Sequence, residues 1–555
     1  MASVPERSIL FDRSARGVRP GETLLGALAR GGWPALQRSI RYHRPRGPFC
    51  GVGHCTGCLV RVNGQPNVRA CRYLPNAGDV VVTENAWPSP RFDLLGVLDV
   101  LFPGGIDTLH GFRRPAWATR LYHRVVRRLA GYGSAPDLPV RATPEMAPLR
   151  RAVDVAIVGA GPSGRALAAR LVDAGRPVVV LDRSLHPPAV PWADLLPRTT
   201  VTFLPPPASG DGPRFTLLGY EEPSRGVAVT AKTVVVATGG YDAGLWFGGS
   251  DRPGIVTLDG AFALAEPDGR APFERAIVVG GGERVVAALD RFGDAIEAVV
   301  APGEIGPAVV RRASELETPL YPRSLILHAS GRGRVRSLAL RTRGRGPRFA
   351  LACDAVILAH RRLPTPQLFF QAGAKMEWRG AGGAYYPVLS DRLETTVPGL
   401  FAIGAAAGIP PVAEAEAAAR VAAAIRGDPP PDSAPIPRVG AEGPPELEGY
   451  YRELLAEPRS GRWVACPCED VLLHEVEDAH RRGYAGIEVI KRYTGLGTGL
   501  CQGRYCLPDA LLVLSLLEGR APPAVGYITQ RPPVVPTPLA AFAALADPSA
   551  VEEAA

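Results

Sequence analysis

The stretch that decides the fold runs from residue 153 to residue 182 and reads VDVAIVGAGPSGRALAARLVDAGRPVVVLD. An apolar strand leads into G-x-G-x-x-G, a helix follows, and a second apolar strand ends in an acid. Glycines at this spacing let a pyrophosphate approach the helix N-terminus, and the acid can bind a ribose hydroxyl. We therefore predict an adenine-dinucleotide site, with a purely structural βαβ unit as the alternative. The predicted contacts are Gly159, Gly161, Pro162, Ser163, Gly164 and Asp182.

A second unit of this kind starts with FERAIVVGGGERVVAAL at 273–289, but its signal is weaker. Gly280 and Gly282 are present, whereas Val285 occupies the position of the third glycine. The next strand ends in Ala301-Pro302 without an acid for a ribose. We therefore do not expect a nicotinamide cofactor here. Strands alternate with helical patterns from 153 to 424, which predicts parallel α/β layers.

Four cysteines near the N-terminus have the spacing C-x4-C-x2-C-x12-C, which is typical of plant-type [2Fe–2S] domains. Glycines between them let the backbone wrap closely, so that its N–H groups can point at the sulfurs. Zinc rarely uses so glycine-rich a loop, and disulfides do not suit a cytosolic chain. His43 and His54 are interpreted as surface residues or hydrogen-bond donors to sulfur. The predicted ligands are Cys50, Cys55, Cys58 and Cys71.

A second set of four cysteines lies near the C-terminus with the spacing C-x-C-x32-C-x4-C. This spacing alone leaves zinc open as well as iron. We predict a helix between the two pairs, over 469–482 and closed by Gly483, and a second helix over 507–517. The ninth cysteine, Cys353, lies in an apolar run and is predicted to be a buried small hydrophobe. The predicted ligands are Cys466, Cys468, Cys501 and Cys506.

The composition is that of an ordinary globular protein. Of the 555 residues, 46% are hydrophobic and 21% are charged, and the net charge is +9. No aromatic platform or nucleic-acid motif accompanies the basic residues, so we expect no nucleic-acid partner. The first residues lack an apolar signal core, and the longest apolar run, 510–517, is too short to span a bilayer. We expect a cytoplasmic protein that is not integral to a membrane.

Further motifs reveal a family resemblance. VVVATGG at 234–240 and VPGLFAIGAAAG at 397–408 resemble the disulfide-reductase-like flavoproteins, in which one dinucleotide-binding domain is inserted into another. With KRYTGLGTGLCQGRYCLPDA at 491–510 and DRPGI at 251–255, the chain resembles the large (alpha) subunit of bacterial heteromeric amine and amino-acid dehydrogenases. That group includes sarcosine oxidase alpha, opine oxidase, hydrogen cyanide synthase and D-hydroxyproline dehydrogenase. The resemblance adds Thr238, Gly239 and Gly404 to the predicted dinucleotide contacts.

The resemblance also implies how the chain is organised. The N-terminal part resembles the separate [2Fe–2S] subunit of those enzymes, fused here to the large subunit, and the C-terminal part resembles bacterioferritin-associated ferredoxin. The expected fold class is multidomain α/β with a β-grasp ferredoxin-like domain, a flavoprotein core of two dinucleotide-binding domains, and a small helical iron–sulfur domain. The predicted divisions are a [2Fe–2S] domain at 1–90, a helical connector at 91–150, an FAD-binding domain at 151–267 with 385–426, an inserted Rossmann-like domain at 268–384, a proline-rich linker at 427–460, a [2Fe–2S]-binding helical domain at 461–530, and a tail at 531–555.

The resemblance implies a division of labour between subunits. A smaller flavoprotein subunit, similar to amine oxidases, oxidises the C–N bond, and the large subunit carries the dinucleotide, two [2Fe–2S] clusters and one wall of an interfacial flavin site for which FMN is the candidate. Two departures concern the flavin: the loop after Asp182 is shortened and lacks a GGQ-like segment, and Ala405 stands where many relatives have an aspartate. FAD is our first choice for the dinucleotide site and NAD the second.

We expect an oxidoreductase acting on CH–NH or CH–NH2 donors, in which this chain relays electrons from a flavin to a quinone or another acceptor. No catalytic base is assigned, because no His, Asp or Glu constellation indicates one. One alternative is a self-sufficient NAD(P)H-dependent flavin iron–sulfur reductase. Another is a non-catalytic scaffold whose dinucleotide only stabilises the fold.

Overall fold

The computed structural model describes residues 7–30, 32, 35–101, 117–120, 147–186, 193–208, 210, 214–265, 272–344, 346–380, 383–429, 434–438, 445–458 and 463–546. The chain divides into two compact units, each assembled from three stretches of sequence. The first comprises Met1–Pro139, Asp242–Arg361 and Pro445–Tyr527, and the second comprises Val140–Tyr241, Arg362–Pro444 and Ile528–Ala555. Most of the predicted connector at 91–150 lies outside the described residues.

A five-stranded mixed sheet with one helix forms the N-terminal part of the first unit. The helix Leu24–Ala29 is wholly buried and begins after Thr23, whose hydroxyl accepts the N–H of Gly26 at 3.2 Å. The hairpin turn predicted at Asn63-Gly64 is present, with φ angles of 49° and 84°. This is the predicted ferredoxin-like fold. In order across the sheet, the strands are Ser14–Val18, Arg7–Phe11, Val80–Val82, Leu59–Val62 and Gln65–Arg69. Smaller elements are the strands Gln37–Arg38 and Pro45–Arg46, the 3-10 turns Ala70–Arg72 and Leu94–Gly96, and the helix Val97–Leu101.

A parallel five-stranded sheet forms the middle part of the first unit, as the alternation of strands and helices predicts. A three-stranded antiparallel sheet is inserted in the chain between its strands Leu320–Tyr321 and Ala355–Leu358. The parallel strands, in order, are Ile255–Thr257, Ala355–Leu358, Ala276–Val279, Ile296–Val300 and Leu320–Tyr321, and the antiparallel strands are Ser324–Ser330, Ser337–Thr342 and Arg348–Ala352. The helices are Leu258–Ala265, Glu283–Phe292 and Pro307–Glu315, with a 3-10 turn at Gly293–Ala295.

The N-terminal and middle parts of this unit share one hydrophobic core. Leu24, Leu28 and Val60 of the N-terminal part belong to the same buried cluster as Leu258 and Ala261 of the middle part. Because the core is continuous, the loop that carries the first four cysteines is held directly against the helix Leu258–Ala265.

Helices dominate the C-terminal part of the first unit. The helix predicted over 469–482 begins at Leu473 instead, because Val471 and Leu472 form a strand that pairs with Val464–Cys466. Residues 445–456, which the sequence assigned to the linker, also form a helix, in which Leu447, Tyr450, Tyr451 and Leu454 are buried. The helices are Pro445–Ala456, Leu473–Arg481, Ile487–Thr494, Leu507–Glu518 and Pro522–Val525.

The second unit is built around a seven-stranded sheet and contains the 153–182 stretch. The strand Leu149–Val158, the helix Pro162–Asp173 and the strand Val178–Leu181 form the predicted βαβ unit. The six main strands, in order, are Asp194–Leu196, Val178–Leu181, Leu149–Val158, Arg225–Val236, Phe215–Glu221 and Thr199–Phe203, and Leu400–Ala402 also pairs with Arg225–Val236. The remaining elements are the hairpin Met376–Arg379 with Ala384–Pro387, the helices Gln367–Gln371, Glu414–Arg426 and Leu539–Ala546, and the 3-10 turns Gly404–Ala407 and Pro411–Ala413.

The short strands Gly240–Asp242 and Arg362–Pro364 lie where the chain passes between the units. Part of the predicted tail at 531–555 is helical, and Arg150 donates to the carbonyl of Leu545 there at 3.0 Å. The finer domain boundaries given by the sequence remain predictions. No helix in the described part of the chain is long and apolar enough to cross a membrane.

Candidate functional site: two adjoining cysteine sets and a dinucleotide loop

The four N-terminal cysteines lie on a buried loop and in the 3-10 turn that follows the next hairpin. The Sγ of Cys50 accepts the backbone N–H groups of His54 and Cys55, both at 3.3 Å. Gly51 and Gly53 have φ angles of 65° and 78°, a left-handed conformation that glycine adopts readily. This conformation allows the loop to wrap closely around the Sγ of Cys50. The backbone therefore points donors at a sulfur, as the sequence predicts.

Both histidines beside this loop are buried, so the interpretation as surface residues is wrong. His43 is 1% exposed, and its Nδ1 lies 2.8 Å from a carboxylate oxygen of Asp93. His54 is 5% exposed and contributes its backbone N–H to Cys50.

The four thiols of the N-terminal set contact one another. Cys50 hydrogen-bonds with Cys55 and Cys71, and Cys58 hydrogen-bonds with Cys71. Burial raises the pKa of the Cys50 thiol, but these hydrogen bonds outweigh it and hold the pKa well below its usual value. A negative charge is therefore stabilised on Cys50, as a thiolate ligand requires, while the hydrogen bond with Cys50 raises the pKa of both Cys55 and Cys71 well above the usual value.

The C-terminal cysteines form a second buried set. Cys466 ends a strand, Cys506 directly precedes the helix Leu507–Glu518, and their thiols hydrogen-bond with each other. The hydrogen bond with Cys468 lowers the pKa of the Cys501 thiol to about 7. The hydrogen bond with Cys466, together with burial, raises the pKa of the Cys506 thiol well above its usual value.

A zinc ion and a [2Fe–2S] cluster require different arrangements of four ligands. Among the residues that the structure describes, no three His, Cys, Asp or Glu side chains converge on a point that one metal ion could occupy. A structural zinc site requires four ligands around one ion, whereas a [2Fe–2S] cluster distributes its four thiolates over two irons.

The two sets adjoin each other. The hydroxyl of Thr56, which follows Cys55, lies 3.4 Å from the Sγ of Cys468. Phe49 directly precedes Cys50 of the N-terminal set, and Tyr505 directly precedes Cys506 of the C-terminal set. The two rings pack edge to face with centroids 5.0 Å apart. A cavity of about 60 Å³ lies between the loops, and Cys55 and Cys468 both line it. Two centres bound in these sets would be neighbours.

A buried ion-pair network holds the two loops together. The guanidinium of Arg46 pairs with the carboxylates of both Asp251 and Asp470. Arg44 pairs with Asp251 at 3.0 Å, and the backbone N–H of Arg41 donates to Asp470 at 2.8 Å. Burial lowers the pKa of Arg46, but the two carboxylates outweigh it and raise that pKa above its usual value.

The sequence did not predict roles for Thr56, Arg46 and Asp470, and it indicated Asp251 only as part of the DRPGI motif. No local pattern indicates the first three, because Thr56 and Cys468, like Arg46 and Asp470, lie more than 400 positions apart in the chain. A signal did exist for the missed helix, since Leu447, Tyr450, Tyr451 and Leu454 follow helical spacing.

In the second unit, the dinucleotide loop has the predicted form. A Cβ on Gly164 would lie 2.0 Å from the carbonyl oxygen of Gly159, so only glycine allows the helix this close to the strand. A Cβ on Gly161 would meet nothing within 4 Å, which leaves open space at the start of the helix Pro162–Asp173. Asp182 accepts the N–H of Ala160 at 2.7 Å and so stands beside this loop. The geometry fits a pyrophosphate at the helix N-terminus.

The other predicted contacts surround the same loop. Gly404 has a φ of 65°, and a Cβ there would lie 2.4 Å from the hydroxyl of Ser163. The hydroxyl of Thr238 lies 2.5 Å from that of Thr365, which in turn donates to the carbonyl of Gly239 at 3.4 Å. The structure thus places the predicted dinucleotide residues around one loop of the second unit.

In the second Rossmann-like unit, which belongs to the first compact unit, an acid from another element lies near the end of the second strand. A Cβ on Gly303 would lie 2.1 Å from the carboxylate of Glu446, which also accepts the N–H of Glu304 at 3.4 Å. Gly303 follows the strand Ile296–Val300, whose end is where this fold places a nucleotide ribose. Glu446 belongs to the helix Pro445–Ala456, so an acid from another element occupies this end of the sheet.

Three family models match separate parts of the chain. A 2Fe-2S iron-sulfur cluster binding domain matches residues 7–86, a pyridine nucleotide-disulphide oxidoreductase matches 213–422, and a sarcosine oxidase A3 domain matches 460–546. The alpha subunit of sarcosine oxidase from Rhizobium meliloti (strain 1021) is 27% identical over 96% of the chain. The corresponding opine oxidase polypeptide of Agrobacterium tumefaciens (strain Ach5), its A subunit, is 25% identical over 71% of the chain and 92% of its own length.

The chain is a homologue of sarcosine oxidase alpha and opine oxidase A subunits. It spans 57% of the length of the sarcosine oxidase polypeptide. The fold is also that of L-proline dehydrogenase from P. horikoshii, with a TM-score of 0.65, 21% identity and 96% of each chain covered. The predicted resemblance and fold class are confirmed: the chain has a 2Fe–2S domain and a flavoprotein core typical of oxidoreductases.

Proposed function

We propose that the chain is the electron-transfer subunit of a heteromeric FAD-dependent amine or amino-acid dehydrogenase or oxidase. One observation carries the proposal: two buried sets of four cysteines adjoin each other through the Thr56–Cys468 contact. Iron–sulfur clusters are electron carriers, and neighbouring carriers form a relay. The homologues are themselves named as subunits, which supports a partner.

In this proposal the four N-terminal and four C-terminal cysteines each hold one [2Fe–2S] cluster. The residues of the chain exclude water from the sulfurs and stabilise their negative charge through N–H groups, as His54 and Cys55 do for Cys50. Gly159, Gly161, Gly164 and Asp182 hold the adenine dinucleotide, with FAD preferred to NAD. When bound, a flavin converts the two-electron oxidation of a C–N bond into single electrons.

The partner is a smaller flavoprotein subunit that binds the amine, with FMN at the interface and a quinone or similar acceptor for the electrons. We assign no catalytic base to the present chain. The alternative of a self-sufficient NAD(P)H-dependent reductase requires a second nucleotide site. The Rossmann-like unit in question has Val285 in place of the third glycine, which argues against that site.

The first test is the cofactor content of the full chain purified without oxygen. We expect about four irons and four sulfides per chain, since eight thiolates serve two clusters. Cys501→Ser should remove one EPR signal and leave the other, while Cys353→Ala should remove neither. Zinc in place of half the iron would eliminate the C-terminal cluster from the proposal.

The second test is activity with and without a partner. Proteins that co-purify from the native host are identified, and amine oxidation is followed with an artificial one-electron acceptor. We expect turnover only when a flavoprotein subunit is present. Rapid reduction of both clusters by NADH in the isolated chain would replace the proposal with the reductase.

A further inference from the structure

Thr56 belongs to the N-terminal cysteine loop by sequence, yet its side chain serves the C-terminal set. Its hydroxyl lies 3.4 Å from the Sγ of Cys468. The two residues are 7% and 5% exposed, respectively, so water has little access to either. A hydroxyl can donate to sulfur, and a thiolate can only accept. The contact is therefore a hydrogen bond donated from one cysteine set to the other.

The loop around Thr56 is fixed on both sides. The amide of Gln37, itself buried, donates to the carbonyl oxygen of Thr56. The N–H of Gly57 donates to the Sγ of Cys55 at 3.4 Å. The facing loop carries Asp470, two residues beyond Cys468, and its carboxylate pairs with the guanidinium of Arg46. Because both loops are anchored, their backbones hold the hydroxyl of Thr56 and the Sγ of Cys468 within hydrogen-bond distance.

A hydrogen bond to a cluster sulfur changes the energy of the reduced state. Reduction adds one electron to the cluster and forms or breaks no bond, so the charge on the sulfurs becomes more negative. A donor aimed at a ligand sulfur stabilises that state more than the oxidised state. Removing such a donor lowers the reduction potential of the cluster that accepts the bond.

We propose that Thr56 is a positioning residue that raises the reduction potential of the C-terminal cluster while it stands in the loop of the N-terminal cluster. The inference rests on the proposed function, because it requires clusters in both sets. It assigns the tuning of the C-terminal centre to a residue of the domain that holds the other centre.

The test compares Thr56→Val with Thr56→Ser in the full, iron-loaded chain. Valine keeps the shape of threonine and removes the hydroxyl, while serine keeps the hydroxyl. Each protein is titrated with redox mediators, and the EPR signals of the two clusters are followed separately, using Cys501→Ser to assign them. Thr56→Ala carries the same test if the valine variant does not fold.

We expect Thr56→Val to lower the ratio of reduced to oxidised C-terminal cluster roughly tenfold at a fixed potential. For a one-electron couple this is a decrease of about 59 mV in the reduction potential. The N-terminal cluster and Thr56→Ser should stay close to wild type. Unchanged potentials in a valine variant with both signals intact would refute the role of Thr56, as would equal shifts in both clusters. Absence of iron from the C-terminal set in the wild type would instead refute the proposed function, and the inference with it.

Discussion

Arg46 offers the sharpest test of how the first unit holds its two cysteine loops together. Its side chain is 7% exposed and pairs with Asp251 and Asp470, whose side chains are 1% and 0% exposed. Arg46→Met retains most of the apolar stem and removes the guanidinium. Two carboxylates would then remain buried without the cation that they share.

The structure sets the size of the effect. Breaking a buried ion pair by removing one partner costs about 3–5 kcal/mol. Asp251 would keep Arg44 at 3.0 Å, and Asp470 would keep the N–H groups of Arg41 and Tyr42 at 2.8 and 3.3 Å. These remaining partners place the expected loss near the lower limit, about 3 kcal/mol. A free energy of this size corresponds to roughly a hundredfold in an equilibrium constant.

Amide hydrogen exchange of the iron-loaded chain measures this loss where it should occur. Peptides covering 41–46 and 464–472 should exchange roughly a hundredfold faster in Arg46→Met, if exchange follows the opening equilibrium. Arg452→Met is the matched control, because Arg452 is 68% exposed and pairs with Glu448 on the same helix at 2.7 Å. Such surface pairs contribute only about 0–1 kcal/mol. If the two variants exchange alike at 464–472, the network does not join the loops.

The remaining predictions concern the dinucleotide loop and the ninth cysteine. Gly161→Val should fold with an unchanged circular dichroism spectrum but bind neither FAD nor NAD in acid extracts, because the added methyls enter open space that a pyrophosphate needs; a variant that retains its dinucleotide would contradict this. Gly164→Ala should instead destabilise the second unit by about 1–3 kcal/mol, since its Cβ would lie 2.0 Å from the carbonyl oxygen of Gly159, and a thermal midpoint equal to that of Gly161→Val would count against the close packing. Cys353→Ala should leave iron content unchanged in elemental analysis, because burial raises the pKa of that thiol to about 12 and keeps it protonated; lost iron would reveal a ligand that the spacing does not predict.

Structural features that depend only on neighbouring residues in the sequence could be predicted. The strand, glycine loop and helix around 153–173, the Asn63-Gly64 turn and the helix after Cys506 all depend on neighbours within one or two turns of chain. The contact of Cys50 with Cys55 could likewise be predicted, since both lie on one tight loop. Local propensity and pattern were sufficient for these elements.

What could not be predicted depends on contacts between distant segments. The start of the helix at Leu473 was placed too early, because the pairing of Val471 and Leu472 with Val464–Cys466 competes with helix formation. The helix Pro445–Ala456 was hidden by the prolines around it, although its apolar residues had helical spacing. The contact of Thr56 with Cys468 joins residues 412 positions apart, and no local pattern encodes such a pairing.

That separation along the chain also constrains biogenesis. At a synthesis rate of roughly 5–20 residues per second, the 412 residues between Thr56 and Cys468 take roughly 20–80 s to emerge. During that interval the N-terminal cysteine loop lacks Tyr505 and the wall of its shared cavity. A metallation machinery that loads this loop while the ribosome is still translating would meet a more open pocket than the finished protein presents. An N-terminal set loaded in this way would hold its iron before the C-terminal set had been synthesised.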